Sequence, residues 1–115
     1  MIELTIPYPP SANRLWRRSG RVMHKSSAYT EWLRVAGHMA MAQRPGGLTG
    51  SYKLSIQALR PDRRRRDIDN LIKPVSDLLQ SVGIVDDDSD CEMVTARWVT
   101  NGAPLTVRVE MAGVG

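Results

Sequence analysis

The sequence predicts an α+β fold: a small mixed β-sheet with two helices packed on one face, in the order β-α-β-α-β-β. Three observations carry that expectation. "IELTI" (2–6) and "SYKLSIQAL" (51–59) alternate apolar and polar residues at the period of a half-buried strand. Two stretches, near 26–41 and 71–82, repeat apolar residues at helical spacing. Two more strand-like runs, "EMVTARWVT" and "PLTVRVEM", flank Asn101-Gly102, a strong short hairpin signal, so an antiparallel terminal hairpin is expected. At 115 residues the chain supports one modest core and is read as a single domain over 1–115. Mixed order of this kind favours helices gathered on one face of the sheet.

Each element has its own signal. Ile2, Leu4 and Ile6 face one side of the first strand, and the prolines of "PYPPSANR" stop it. Residues 14–25, "RLWRRSGRVMHK", read as a basic loop or ragged hairpin around Gly20. The first helix begins near Ser26 or Ser27, either of which suits an N-cap. Ala28, Trp32, Val35/Ala36 and Met39 supply its apolar spacing, and "RPGG" ends it. Tyr52, Leu54, Ile56 and Ala58 face one side of the next strand. The second helix carries Leu71, Val75, Leu78, Leu79 and Val82 and stops at Gly83. Pro74 must lie close to its first turn or kink it.

Composition narrows the function classes. Hydrophobic residues make up 42% and charged residues 24%, as in ordinary globular proteins. No apolar run approaches the ~20 residues that span a bilayer. The opening lacks the basic and apolar regions of a secretory leader. The single cysteine, Cys91, excludes an internal disulfide framework and a Cys-based zinc site; it is expected to be buried and inert. Trp32 and Trp98 are read as core. Net charge is +4, but it is divided unevenly: residues 1–73 hold 14 Lys and Arg against 5 Asp and Glu, and the rest hold 2 against 7. A basic half of this kind most commonly meets nucleic acid.

The densest feature is "DRRRRDIDN" (62–70), four arginines running into Asp67 and Asp69. In an extended segment, residues i and i+2 point to one side, so both carboxylates could face one point, with Ile68 turned to the core. Hard oxygen donors of this sort suit Mg²⁺, which takes one or two carboxylates together with water and phosphate. The plainer alternative is that one of these aspartates caps the following helix. The loop "DDDSD" (86–90) offers a further ligand. It is not an EF-hand, because Cys91 and Arg97 stand where Gly and Glu are required. Asn70, Lys73 and Asp77 share the helix face opposite the apolar stripe, although Lys73 and Asp77 also make an ordinary i,i+4 pair. Arg63, Arg64, Arg65 and Arg66, with Arg14, Arg17 and Arg18 in the earlier basic segment, are candidate contacts to backbone phosphates.

These segments together resemble the RusA family of Holliday-junction resolvases over nearly the whole chain. "PYPPSANR" is similar to the family's opening motif, "PDRRRRDIDNLIK" to its most characteristic segment, and "GIVDDDSD" to the acidic loop that follows. The resemblance implies a RusA-like fold and metal-binding, catalytic aspartates at Asp67, Asp69 and Asp88, with Asp87 the neighbouring register for the third. It implies an essential lysine at Lys73 and supporting positions at Asn70 and Asp77. It further implies an Mg²⁺-dependent endodeoxyribonuclease, with Mn²⁺ as a substitute, that resolves four-way DNA junctions by paired symmetric cuts in recombination and repair. A homodimer with two identical sites is the natural design for two such cuts. A cytoplasmic setting in a bacterial host, with phage or prophage origin and no membrane partner, completes the expectation. Two rivals remain: a non-catalytic junction-binding module, and a phosphohydrolase acting on nucleotides. No phosphate-cradling glycine loop supports the second.

Overall fold

The computed structural model describes residues 1–11 and 14–113. Its elements run β1 (Ile2–Ile6), β2 (Trp16–Ser19), β3 (Val22–Lys25), α1 (Ser27–Ala42), β4 (Tyr52–Leu59), α2 (Ile72–Ser81), β5 (Cys91–Val99) and β6 (Leu105–Met111). Short 3₁₀ turns at Ile68–Leu71 and Asp88–Asp90 precede α2 and β5. β1, β6, β4 and β5 form a four-stranded mixed sheet in that order, and β2 with β3 forms a separate antiparallel ribbon.

Period-two alternation decides which face of the sheet is buried. Tyr52, Leu54, Ile56 and Ala58 of β4 are buried, with Lys53, Ser55, Gln57 and Leu59 on the other side. In register with them, Leu54 opposes Val109, Ile56 opposes Val107 and Ala58 opposes Leu105. Leu4 and Ile6 of β1 extend the same face. Tyr29, Trp32, Ala36 and Ala40 of α1, with Val75, Leu78 and Leu79 of α2, close that face into one core. Fully burying a large apolar side chain contributes about 1.5–3 kcal/mol, so this continuous cluster dominates the stability.

Local chemistry sets the helix ends. Ser26 caps α1, its Oγ accepting from the Tyr29 N–H at 3.1 Å. Pro74 lies in the first turn of α2, where its missing N–H breaks no intrahelical bond. Gly83 follows the Val82 cap at φ +77°, a conformation that glycine adopts without steric cost. On the outer edge of β1, Gln43 serves as a false strand. Its Oε1 accepts from the Thr5 N–H at 2.9 Å and its Nε2 donates to the Thr5 carbonyl at 2.7 Å. That pairing blunts an edge that would otherwise invite another strand.

The terminal hairpin expected from Asn101-Gly102 does not form. β5 pairs with β4 in parallel and β6 pairs with β4 antiparallel, so β4 lies between them. The long path through α2 permits the parallel β4–β5 pairing. Residues 100–104 then arch over the end of β4, where the Leu59 N–H donates to the Pro104 carbonyl at 3.0 Å. A two-residue turn needs paired strands on both sides, and here the central, apolar β4 takes both partners. The basic segment 14–25 is the β2–β3 ribbon, all eight strand residues of which are exposed. Among the described residues, no helix is long and apolar enough to cross a membrane.

Candidate functional site

The arginine run leaves the end of β4 as a turn organised by Asp62. The Asp62 carboxylate accepts from the Arg64 N–H at 3.0 Å and pairs with the Arg66 guanidinium at 2.7 Å. Those bonds hold its carboxyl well below the usual range, at about 2. Arg66 also lies over the Tyr8 ring, 5.6 Å from its centroid. Arg66 thus pairs with Asp62 before the run, and not with Asp67 or Asp69 after it. Arg63, Arg64 and Arg65 remain exposed.

Asp67 and Asp69 are not on an extended segment. Asp67 has extended backbone, but Asp69 lies within the Ile68–Leu71 3₁₀ turn. Residues two apart in a three-residue turn point about 120° apart instead of sharing a side. Accordingly, Asp67 lines a depression with Tyr8, Ser11, Arg65 and Asn70. Asp69 lines another, of about 560 Å³, with Lys73, Ser76, Asp88 and Glu92. The three candidate carboxylates therefore do not close around one point. Among the described residues, no group of three or more His, Cys, Asp and Glu side chains is arranged to hold a metal ion. Neither is Asp67 spent on capping: it occupies the N-cap position without a side-chain hydrogen bond. Ile68 packs against the core as expected.

Lys73 stands between two carboxylates. Its Nζ is 2.9 Å from Asp77 Oδ1 and 3.7 Å from Asp88 Oδ2. The hydrogen bond to Asp77, reinforced by the charges of Asp77 and Asp88, raises its pKa, so the ammonium form is favoured. The other oxygen of Asp77 accepts from the Tyr29 hydroxyl of α1. Asp88 is placed by its backbone, whose N–H donates to Gln80 Oε1 at 3.1 Å. Asp87 caps the Asp88–Asp90 turn, its Oδ1 accepting from the Ser89 N–H at 2.8 Å, which lowers its pKa. Asp88 thus lines the depression that holds Asp69, while Asp87 caps the turn.

The chain matches the family described as "Endodeoxyribonuclease RusA" over residues 7–110. It belongs to the RusA endodeoxyribonuclease family. It is 36% identical to "Crossover junction endodeoxyribonuclease RusA" of Escherichia coli, over 96% of this chain and 95% of that protein. The proteins of the same name from Shigella sonnei and Enterobacteria phage 82 are each 35% identical, with the same coverage.

Of the remaining residues, Cys91 lines the same depression as Asp69 and Asp88. Arg17 and Arg18 project from the β2 strand of the ribbon. Arg14 is exposed, and its carbonyl accepts from the Ser26 hydroxyl, tying the ribbon's base to α1. Trp16 is 38% exposed, packs edge-on against Tyr29 at 5.9 Å, and carries Lys25 Nζ 5.6 Å from its ring centroid. Trp98 is only half-buried, and Arg60 stacks on it at 4.5 Å. Cys91 is half-buried instead of buried, with Sγ 3.4 Å from the Met93 carbonyl. Three side-chain roles escape sequence reasoning, those of Tyr29, Gln80 and the Tyr52 hydroxyl. The Tyr52 hydroxyl is buried with no hydrogen-bond partner among the described residues. Burial pushes it up to about 12, helped by the negative field of Cys91 and the Asp87–Asp90 loop. Periodicity marks Tyr52 as core, but nothing local reveals which loop its hydroxyl senses.

Proposed function

We propose that this chain is an Mg²⁺-dependent, structure-selective endodeoxyribonuclease that resolves four-way (Holliday) DNA junctions by paired symmetric cuts in recombination and repair, with Mn²⁺ able to replace Mg²⁺. The observation that carries the reading is Asp69, Lys73 and Asp88 around one open depression, in a chain related to junction endonucleases. A hard divalent cation fits this donor set, since Mg²⁺ takes one or two carboxylates and leaves its other positions to water and phosphate. Asp69 and Asp88 are the proposed ligands already facing that space. Asp67, exposed and uncommitted to a cap, is the proposed third.

Phosphodiester hydrolysis needs an activated water, charge relief on the phosphoryl oxygens and a stabilised leaving oxygen. A bound divalent ion supplies the Lewis-acid part of that chemistry. Lys73 places an ammonium at the same depression, where it neutralises charge that develops on the phosphate. Asn70, in the adjoining depression, holds a neighbouring phosphate or sugar. Arg63, Arg64, Arg65 and Arg66 on one side, and Arg14, Arg17 and Arg18 at the ribbon, grip flanking phosphates and set register without reading sequence. Paired cuts call for a C2 homodimer. The β5 edge supports one: Met93 is 50% exposed and Val94 39% exposed, beside the site. The phage relative supports a phage or prophage origin, and the proposed setting is the bacterial cytoplasm.

The test is a mobile four-way junction with Mg²⁺, compared with linear duplex and with Asp69→Asn. The proposal expects paired nicks in the junction alone, reduced by at least ~10³-fold in the variant. Tight junction binding with no cutting by the native protein would instead make it a non-catalytic binding module.

A further inference from the structure

We infer that Tyr29 is a positioning residue: through Asp77 it aims the Lys73 ammonium at the depression between Asp69 and Asp88. The inference rests on the nuclease reading for its consequence, but its geometry stands apart from it. An exposed Lys–Asp pair four apart on a helix is weak and rotates freely. Here both carboxylate oxygens are taken. Asp77 Oδ1 meets Lys73 Nζ at 2.9 Å, and Oδ2 accepts from the Tyr29 hydroxyl, 48 residues away on the other helix. A carboxylate held at both oxygens cannot turn about its own axis, so it offers the Lys73 ammonium a fixed acceptor. That ammonium is also 3.7 Å from Asp88.

Tyr29 is itself immobilised. Its side chain is fully buried, stacked on Trp32 at 6.1 Å and 21° and met edge-on by Trp16 at 5.9 Å and 69°. Trp32 is fixed in turn, its indole N–H donating to the Pro7 carbonyl at 3.1 Å. Burial, with Asp77 as acceptor, raises the Tyr29 pKa, so the hydroxyl keeps its proton and remains a donor at working pH. Asp77 does not line the depression that contains Asp69. It belongs to a separate one with Lys25, Gln80 and Asp87, and Lys73 and Asp88 line both. Of these two, it is Lys73 that Asp77 bonds, so Tyr29 and Asp77 act on the reaction through Lys73.

The test is Tyr29→Phe, which deletes one oxygen and keeps the ring. In metal-free protein, NMR of isotope-labelled lysine should show a slowly exchanging Lys73 ammonium coupled to Asp77, lost in Tyr29→Phe and in Asp77→Asn. Single-turnover junction cleavage should fall roughly tenfold in Tyr29→Phe while junction affinity without divalent ion stays within about twofold. In a Lys73→Ala background, the Tyr29→Phe effect on the residual rate should vanish. An unchanged lysine signal in Tyr29→Phe, or a rate loss that persists without Lys73, overturns the inference. A native protein that cuts no junction defeats the nuclease reading instead, and the lysine signal still decides the role of Tyr29.

Discussion

Ser26→Ala should loosen the basic ribbon and the first helix together. The Ser26 hydroxyl has two bonds: it donates to the Arg14 carbonyl and accepts from the Tyr29 N–H at 3.1 Å. The Ser26 N–H adds a third tie, to the Leu15 carbonyl at 2.9 Å, which alanine would keep. Losing an N-cap costs about 1 kcal/mol. Leaving the part-buried Arg14 carbonyl without its donor costs about 1 kcal/mol more, the low end of the range because solvent reaches it. The sum, about 2 kcal/mol, lowers the melting temperature of a chain this size by roughly 8 °C. Ser26→Thr keeps the hydroxyl and should recover most of the loss. Calorimetry on the three proteins measures this directly, and junction affinity should weaken with the ribbon's order. A melting temperature for Ser26→Ala within about 2 °C of the native protein would refute the reasoning, because neither bond would then matter.

Two further predictions concern the arginine turn. Replacing Arg63, Arg64 or Arg65 with alanine should weaken junction binding and make the slope of log affinity against log salt shallower by about one for each phosphate that is no longer gripped, measured by titration across salt concentrations. Asp62 has a folded-state pKa depressed to about 2 by Arg66 and the Arg64 amide, so its stabilising effect is complete above the ordinary carboxylate range and lost as pH falls toward 2. The stability difference between native protein and Asp62→Asn, followed by urea titration at several pH values, should therefore persist at neutral pH and shrink on acidification; a difference that grows with acid contradicts the assignment.

Most of the fold was legible because most of it is periodic. The alternation of Tyr52, Leu54, Ile56 and Ala58 marks β4 and its buried face, and Gly83 marks the end of α2. What escaped was non-local. Strand order is settled by competition for β4, which no hairpin signal encodes, and so Asn101-Gly102 pointed to a pairing that β4 pre-empts. At the site, the resemblance to RusA nominated Asp88, and spacing brought Lys73 and Asp77 onto one face. It misjudged the 67–69 backbone, because an extended path and a 3₁₀ turn look alike over three residues. Tyr29 was invisible for a simpler reason: its hydroxyl acts on a residue of another helix, while its ring reads as ordinary core.

Manganese offers the most direct measurement. Crystals grown or soaked with Mn²⁺ and measured at the manganese absorption edge should show an anomalous peak within ligand distance of both Asp69 and Asp88, with Lys73 Nζ beside it and the Asp67 side chain turned toward it. An ion bound elsewhere on the surface, or a peak that survives Asp69→Asn and Asp88→Asn together, would contradict the account.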